Sequence, residues 1–184
     1  NWYNCNCIAS TGLYALDATD TETSIDGYGQ GDEITLSMDG ADIVGTAGGT
    51  EYFRISVDSD TGEVTFSQSN NIWHADTASG DDSATLSVVS GTMLLTQTVT
   101  DADGDTASAD YDLGAGGSFG IEDDGPSVTL SEQFEAQALT LDESLLPTAG
   151  DGIASASAAF SGAFATTIDY GTDGAGSVSY ALSL

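Results

Sequence analysis

Residues 52–67 read YFRISVDSDTGEVTFS. Apolar and polar side chains alternate from Tyr52 to Val57 and again from Glu63 to Ser67, the period of a strand with one face buried and one face wet. Between the two runs, Asp58-Ser59-Asp60-Thr61-Gly62 is made of residues that favour reversal, so the stretch predicts a β-hairpin. Working outward, Ile34 to Met38, Ala41 to Gly45, Ala84 to Val89 and Met93 to Thr100 are further short runs rich in Val, Ile, Thr, Tyr and Phe. Asp39-Gly40, Gly48-Gly49 and Ser90-Gly91 punctuate them. Strand runs at this spacing predict an all-β fold, a sandwich or a barrel; of the two, an antiparallel, immunoglobulin-like β-sandwich is the fold expected. Ser131 to Leu146 is the one stretch with helical leanings, through Glu132, Glu135 and Ala136 to Leu139, and most of it still reads as strand and loop.

The charge balance is extreme. In 184 residues there are 30 Asp plus Glu and one Lys plus Arg, for a formal net charge of -29. Such a surface repels phosphate, which argues against nucleic acid and against an anionic membrane as partners. No run approaches 18 consecutive apolar residues, so no membrane insertion is expected, and no basic segment precedes an apolar one as in a secretory signal peptide. Hydrophobic residues at 40% suffice for a core, though not a helix-rich one with 23 glycines present. Cys5 and Cys7 are the only cysteines. Their spacing disfavours a mutual disulfide and supplies too few ligands for zinc, so they read as free or intermolecular thiols.

The carboxylates are clustered. Spread over the roughly 8,000 Å² expected for a globule of this mass, they would stand about 16 Å apart, beyond the Debye length of ~8 Å. Instead Asp101, Asp103 and Asp105 alternate in one run, Glu122, Asp123 and Asp124 are contiguous, and Asp58/Asp60 and Asp81/Asp82 form pairs. Alternate carboxylates on extended chain lie about 6 to 7 Å apart, and each such pair repels by roughly 2.5 kcal/mol at an effective dielectric near 20. Several such terms rival a domain's stability of ~5 to 15 kcal/mol. Arg54 alone cannot neutralise them, so divalent cations are expected to do so. Asp101, Asp103 and Asp105 with Gly104 offer hard oxygen ligands at alternating spacing, which suits Ca²⁺ better than Mg²⁺. The string resembles the start of an EF-hand loop, but its twelfth position is Asp112 and not Glu, and no helices flank it. For Asp58 and Asp60, turn chemistry competes with metal binding.

Enzyme readings fare worse. His74 is the only histidine, no nucleophile elbow accompanies it, and its expected role is a strand-end or loop hydrogen bond beside Trp73. With 30 carboxylates some pair always resembles a glycosidase site, so that signal decides nothing. No phosphate loop and no H-E-x-x-H motif is present. The chain is therefore expected to be non-enzymatic.

At Gly125-Pro126 the composition shifts, and Pro126 cannot donate to a ladder, which marks a module boundary. Around it, TVTDADGDTASADYDLG (98–114), FGIEDDGPSV (119–128), IVGTAGGTEYFRISVDSDTGEVTF (43–66), WHAD (73–76), LDES (141–144) and DYGTDGAGSVSYALSL (169–184) resemble, in type and order, the tandem extender modules of giant RTX-type adhesins exported by type I secretion. The resemblance covers residues from about Gly12 to Leu184. It implies an extracellular, cell-surface β-sandwich module that mediates cell adhesion and biofilm attachment by extension, rigidified by Ca²⁺ at module junctions. On that reading Asp142 and Glu143 join Glu122, Asp123, Asp124 and the Asp101–Asp105 group as ligands. The Gly-rich nonapeptides of RTX β-rolls are absent.

The phase of the match is rotated. The closing segment of a unit stands at 123–126 and the opening segment follows it, so residues 13–126 correspond to the rear two-thirds of a module and 127–184 to the front third, with 1–12 a junction segment of unknown role. Ser177 to Leu184 is then an expected final strand and the neighbour of Leu13 to Leu16, within the chain or in the next one. Neighbouring modules or identical chains, joined by strand pairing, are the expected partners, with surface glycans or proteins as further ones. The alternative is a lectin-like ligand-binding adhesin domain, or a split scaffold flanking an inserted ligand-binding domain.

Overall fold

The computed structural model describes residues 9–20, 29–135, 138–140, 155–164 and 168–184. Among them are ten strands: β1 (Ala9–Leu16), β2 (Gln30–Asp39), β3 (Asp42–Ala47), β4 (Thr50–Val57), β5 (Val64–Gln68), β6 (Ile72–Trp73), β7 (Ser83–Thr85), β8 (Leu94–Thr100), β9 (Thr106–Asp112) and β10 (Gly120–Glu122). No α-helix occurs among the described residues; one 3₁₀ turn spans Ser161–Ala163. The fold is all-β, antiparallel and sandwich-like.

Six strands form one sheet in the order β5-β4-β3-β2-β1-β6: β1 to β5 are an up-and-down meander whose reversals fall where the sequence places turn residues, and β6 crosses over to the far edge beside β1. Gly40 takes φ 66° in the β2–β3 turn and Gly48 and Gly49 take 58° and 84° in the β3–β4 turn, a region that residues with a β-carbon avoid. The hairpin read from residues 52–67 is β4–β5, paired from Phe53↔Gln68 to Val57↔Val64. Two small sheets, β10-β7 and β8-β9, complete the strand inventory.

Alternation decides the core. Leu13 and Ala15 of β1, Ile34 and Leu36 of β2, and Phe53 and Ile55 of β4 point to one side of the large sheet, where Leu86, Met93, Phe119 and Ile121 meet them. Phe66 bridges the two layers, its ring 5.4 Å from that of Phe53 and 5.2 Å from that of Phe119. Each fully buried large side chain of this kind contributes about 1.5 to 3 kcal/mol. The expected strand Ala84 to Val89 crosses between layers: Leu86 N–H donates to Phe119 O and Ser87 N–H to Thr11 O. Its ladder therefore ends at Thr85.

By its internal contacts the chain divides into Asn1–Gly125 with Thr172–Leu184, and Pro126–Gly171. In the second unit, bridges Ser127↔Asp169 and Leu130↔Phe164 hold extended segments together, and the rings of Phe134 and Phe160 lie 6.0 Å apart. The expected helical leaning of Ser131 to Leu146 yields only a turn at Glu132-Gln133 among its described residues.

One expectation is corrected. Residues 177–184 belong to no strand, and the place beside Leu13 to Leu16 is taken, because β1 pairs β2 on one side and Ile72 and Trp73 of β6 on the other. β6 takes that edge at Tyr14 and Ala15, in the middle of the segment expected to receive it.

Candidate metal centre

The β8–β9 hairpin carries the first acidic group on its turn. Asp101 N–H donates to Asp105 O at 2.9 Å, closing the turn, and Gly104 adopts φ 100°. One oxygen of Asp101, Oδ1, accepts the backbone N–H groups of Asp103, Gly104 and Asp105 at 3.3, 3.0 and 2.9 Å. A hydrogen bond from the Asp103 side chain, followed by these backbone donors, holds the Asp101 carboxyl below its ordinary pKa. Asp101 thus builds the turn through one oxygen while its side chain as a whole stays exposed.

Asp101, Asp103 and Asp105 each offer an oxygen within 4.8 Å of the others, all on exposed side chains. Three anionic oxygens at that separation can share one cation, with water completing a six- to eight-fold shell of the kind Ca²⁺ accepts. The protein supplies no substitute. Its one arginine, Arg54, is engaged on the large sheet by Asp39 and Asp42 at 2.9 Å and Glu51 at 2.7 Å.

Glu122, Asp123 and Asp124 follow one another off the end of β10 and do not join that turn. Asp123 N–H donates to Asp82 O and Gly125 N–H to Gly80 O, which threads the segment against the loop before β7. Gly80 and Gly125 approach so closely that a β-carbon on either would press on the other's backbone. Glu122, Asp123 and Asp124 line a cavity of about 200 Å³ together with Asn71, His74 and Asp173. The segment bearing Asp173 is pinned there by Thr172 N–H to Asp124 O at 3.1 Å and by Asn71 Nδ2 to Thr172 O at 2.6 Å. Burial, reinforced by the charges of Asp123 and Asp124 and opposed by His74 and Asn71, raises the Asp173 pKa.

Sequence reasoning missed Asp173, Asn71 and the position of His74 in this cavity. Sequence distance hid them, since Asn71 and Thr172 stand 101 residues apart. The expected strand-end hydrogen bond of His74 is not made at Nδ1, which is buried with no partner. Asp142 and Glu143, like Cys5 and Cys7, lie outside the described residues. Asp58 is spent on its turn: its Oδ1 accepts Asp60 N–H at 2.8 Å and Thr61 N–H at 3.0 Å, and these bonds, Asp60's first, lower its pKa.

The family model described as "Domain of unknown function (DUF5801)" matches residues 8–114, more than half of the chain. The chain belongs to the DUF5801 family. The DUF5801 match takes in the six-stranded sheet and the whole β8–β9 hairpin with its Asp101–Asp105 turn, and it ends before Glu122. No curated protein and no solved structure matches the chain. Among the described residues, no helix is long and apolar enough to cross a membrane.

Proposed function

We propose that this DUF5801 chain is a non-enzymatic, calcium-binding structural module of a secreted bacterial surface adhesin or extracellular fibre, serving cell adhesion and biofilm attachment by extension. The observation that carries the reading is the convergence of Asp101, Asp103 and Asp105 within 4.8 Å in a chain of net charge -29 whose single basic side chain is engaged elsewhere. Ca²⁺ bound there removes the repulsion between three carboxylates and makes the hairpin turn rigid, a mechanical and not a chemical role. The motif resemblance to extender modules of RTX-type adhesins supports the extracellular, type I-secreted setting, where free Ca²⁺ is abundant.

The test is a pair of thermal melts. A ligand that binds only the folded state adds RT ln(1 + [L]/Kd), about 2.7 kcal/mol at a hundredfold excess over Kd. The melting temperature in millimolar Ca²⁺ should therefore exceed that in chelator by several degrees. Coincident melts overturn the reading.

A further inference from the structure

The β8–β9 hairpin is a ribbon with two different faces. Asp101 N–H to Asp105 O closes one end and Leu113 N–H to Met93 O the other. Hydrogen-bonded pairs alternate along an antiparallel ladder, so between those ends the odd-numbered residues bond across the ribbon. The even-numbered ones, Thr96 and Thr98 of β8 among them, turn their N–H and C=O outward. Side chains follow the same alternation. One face is polar and internally satisfied: Thr96 Oγ1 donates to Asp110 Oδ1, and the hydroxyls of Thr98 and Ser108 lie 2.7 Å apart. The other face carries Leu95, Gln97 and Val99 opposite Tyr111, Ala109 and Ala107. Val99 is 61% exposed and Tyr111 66%.

A two-stranded ribbon is marginal in water, and a third strand makes it stable. An open edge with outward N–H and C=O groups is a template for one. We propose that Ser177–Leu184 of a second copy of this chain adds to the outer edge of β8. The proposal rests on the structural-module reading above and gives that module a partner. Four observations converge on it. Ser177–Leu184 places Val178, Tyr180, Leu182 and Leu184 on one side of an extended chain and small residues on the other, matching the two faces of the ribbon. Its eight residues are one more than the seven of β8, enough to pair along the whole strand. No carboxylate side chain lies between Gly174 and Leu184, nor between Leu94 and Thr100, so these two segments can meet without the repulsion that meets almost any other approach. The outer edge of β9, with Asp110 and Asp112, lacks that property. Finally, within one chain residues 177–184 join no ladder and Val178 and Leu182 are exposed, while Thr172 is anchored at Asp124 and Asn71. Val99 and Tyr111 on the ribbon and Val178 and Leu182 on the segment all stand exposed, so a copy's segment is assigned to the ribbon. Pairing gives main-chain hydrogen bonds and burial of Leu182 and Val99 on a common face.

Light scattering behind size exclusion tests this under reducing conditions, over about a hundredfold range of concentration, in Ca²⁺ and in chelator. The full chain should rise in mass with concentration. Leu182→Asp, which spoils the donor segment, and Thr98→Pro, which removes an outward N–H without touching a ribbon bond, should each remain monomeric. Mixed, they retain one good donor and one good acceptor and should form a heterodimer and nothing larger. Should Thr98→Pro lose its β content by circular dichroism, Thr98→Lys reads the same edge. A full chain that stays monomeric throughout, a variant that assembles as the full chain does, or a mixture that stays monomeric overturns the proposal. If assembly fails while Ca²⁺ still raises the melting temperature, the strand addition alone is overturned. If Ca²⁺ has no effect while the mixture pairs, the calcium reading alone fails.

Discussion

The ring of Phe53 occupies the space that a β-carbon would fill on Gly45, its register partner across β3 and β4. Phe53 is 0% exposed, and it reaches the centre of the core because the neighbouring strand gives way at that one position. A glycine inside a strand is unfavourable by itself; here it is the other half of an aromatic packing site.

Gly45→Ala should therefore cost about 1 to 3 kcal/mol by overpacking, measured by urea denaturation. Phe53→Leu, destabilising alone, should recover part of that loss when combined with Gly45→Ala. A double-mutant cycle with no coupling between the two sites would contradict the packing account.

The three turn aspartates should behave differently from one another. Asp103→Asn with Asp105→Asn should weaken Ca²⁺ binding at least about tenfold, equivalent to 1.4 kcal/mol, while leaving stability in chelator unchanged or slightly higher. Asp101→Ala should instead lower the melting temperature even in chelator, because its Oδ1 accepts three backbone donors. Calorimetric titration and melts in chelator separate the two roles.

Stability against pH should carry two opposite contributions. Asp58, Asp101 and Asp112 are held below 3.8, Asp112 chiefly by the Ser90 hydroxyl and then by Gly91 N–H. Each contributes stability that is present above 3.8 and is lost as pH falls through its folded-state value. Asp173 is raised above 3.8, so the folded state holds its proton more tightly than the unfolded one, and stability is lost as pH rises through that window. Asp173→Asn should then raise the melting temperature at pH 7, and the gain should vanish below pH 3.8. A gain that persists at low pH would place its origin elsewhere.

Arg54 stands opposite Val44 in the register and draws Glu51, Asp39 and Asp42 together. Arg54→Met should lower the melting temperature at low salt by leaving three carboxylates without their cation, and less as salt is raised. Arg54→Lys should recover only part, since a single ammonium cannot reproduce the planar fork. Equal losses at low and high salt would show that the aliphatic stem matters more than the charge.

Local pattern made the meander and the acidic turn legible. Alternation from Tyr52 to Val57 dictates which side chains face inward before any partner strand is known, because successive residues of a strand must point to opposite faces. D-x-D-G-D brings its carboxylates together through one tight turn, so the Asp101–Asp105 group needed no tertiary information. Other elements depended on what lay across from them. Thr106 to Asp112 is absent from the strand runs read from the sequence, yet it is strand β9, paired with β8 over seven residues. Ser177–Leu184 has the alternation of a strand and joins no ladder within the chain, where β2 and β6 flank β1. The cavity around Asp173 was beyond the sequence for the same reason: Asn71, Asp124 and Thr172 are brought together by the closing of the sheets. The sequence determined the period of each strand and the local gathering of charge, whereas only the tertiary structure decided which edges stay open and which distant carboxylates share a cavity, because those depend on long-range pairing that no window of residues contains.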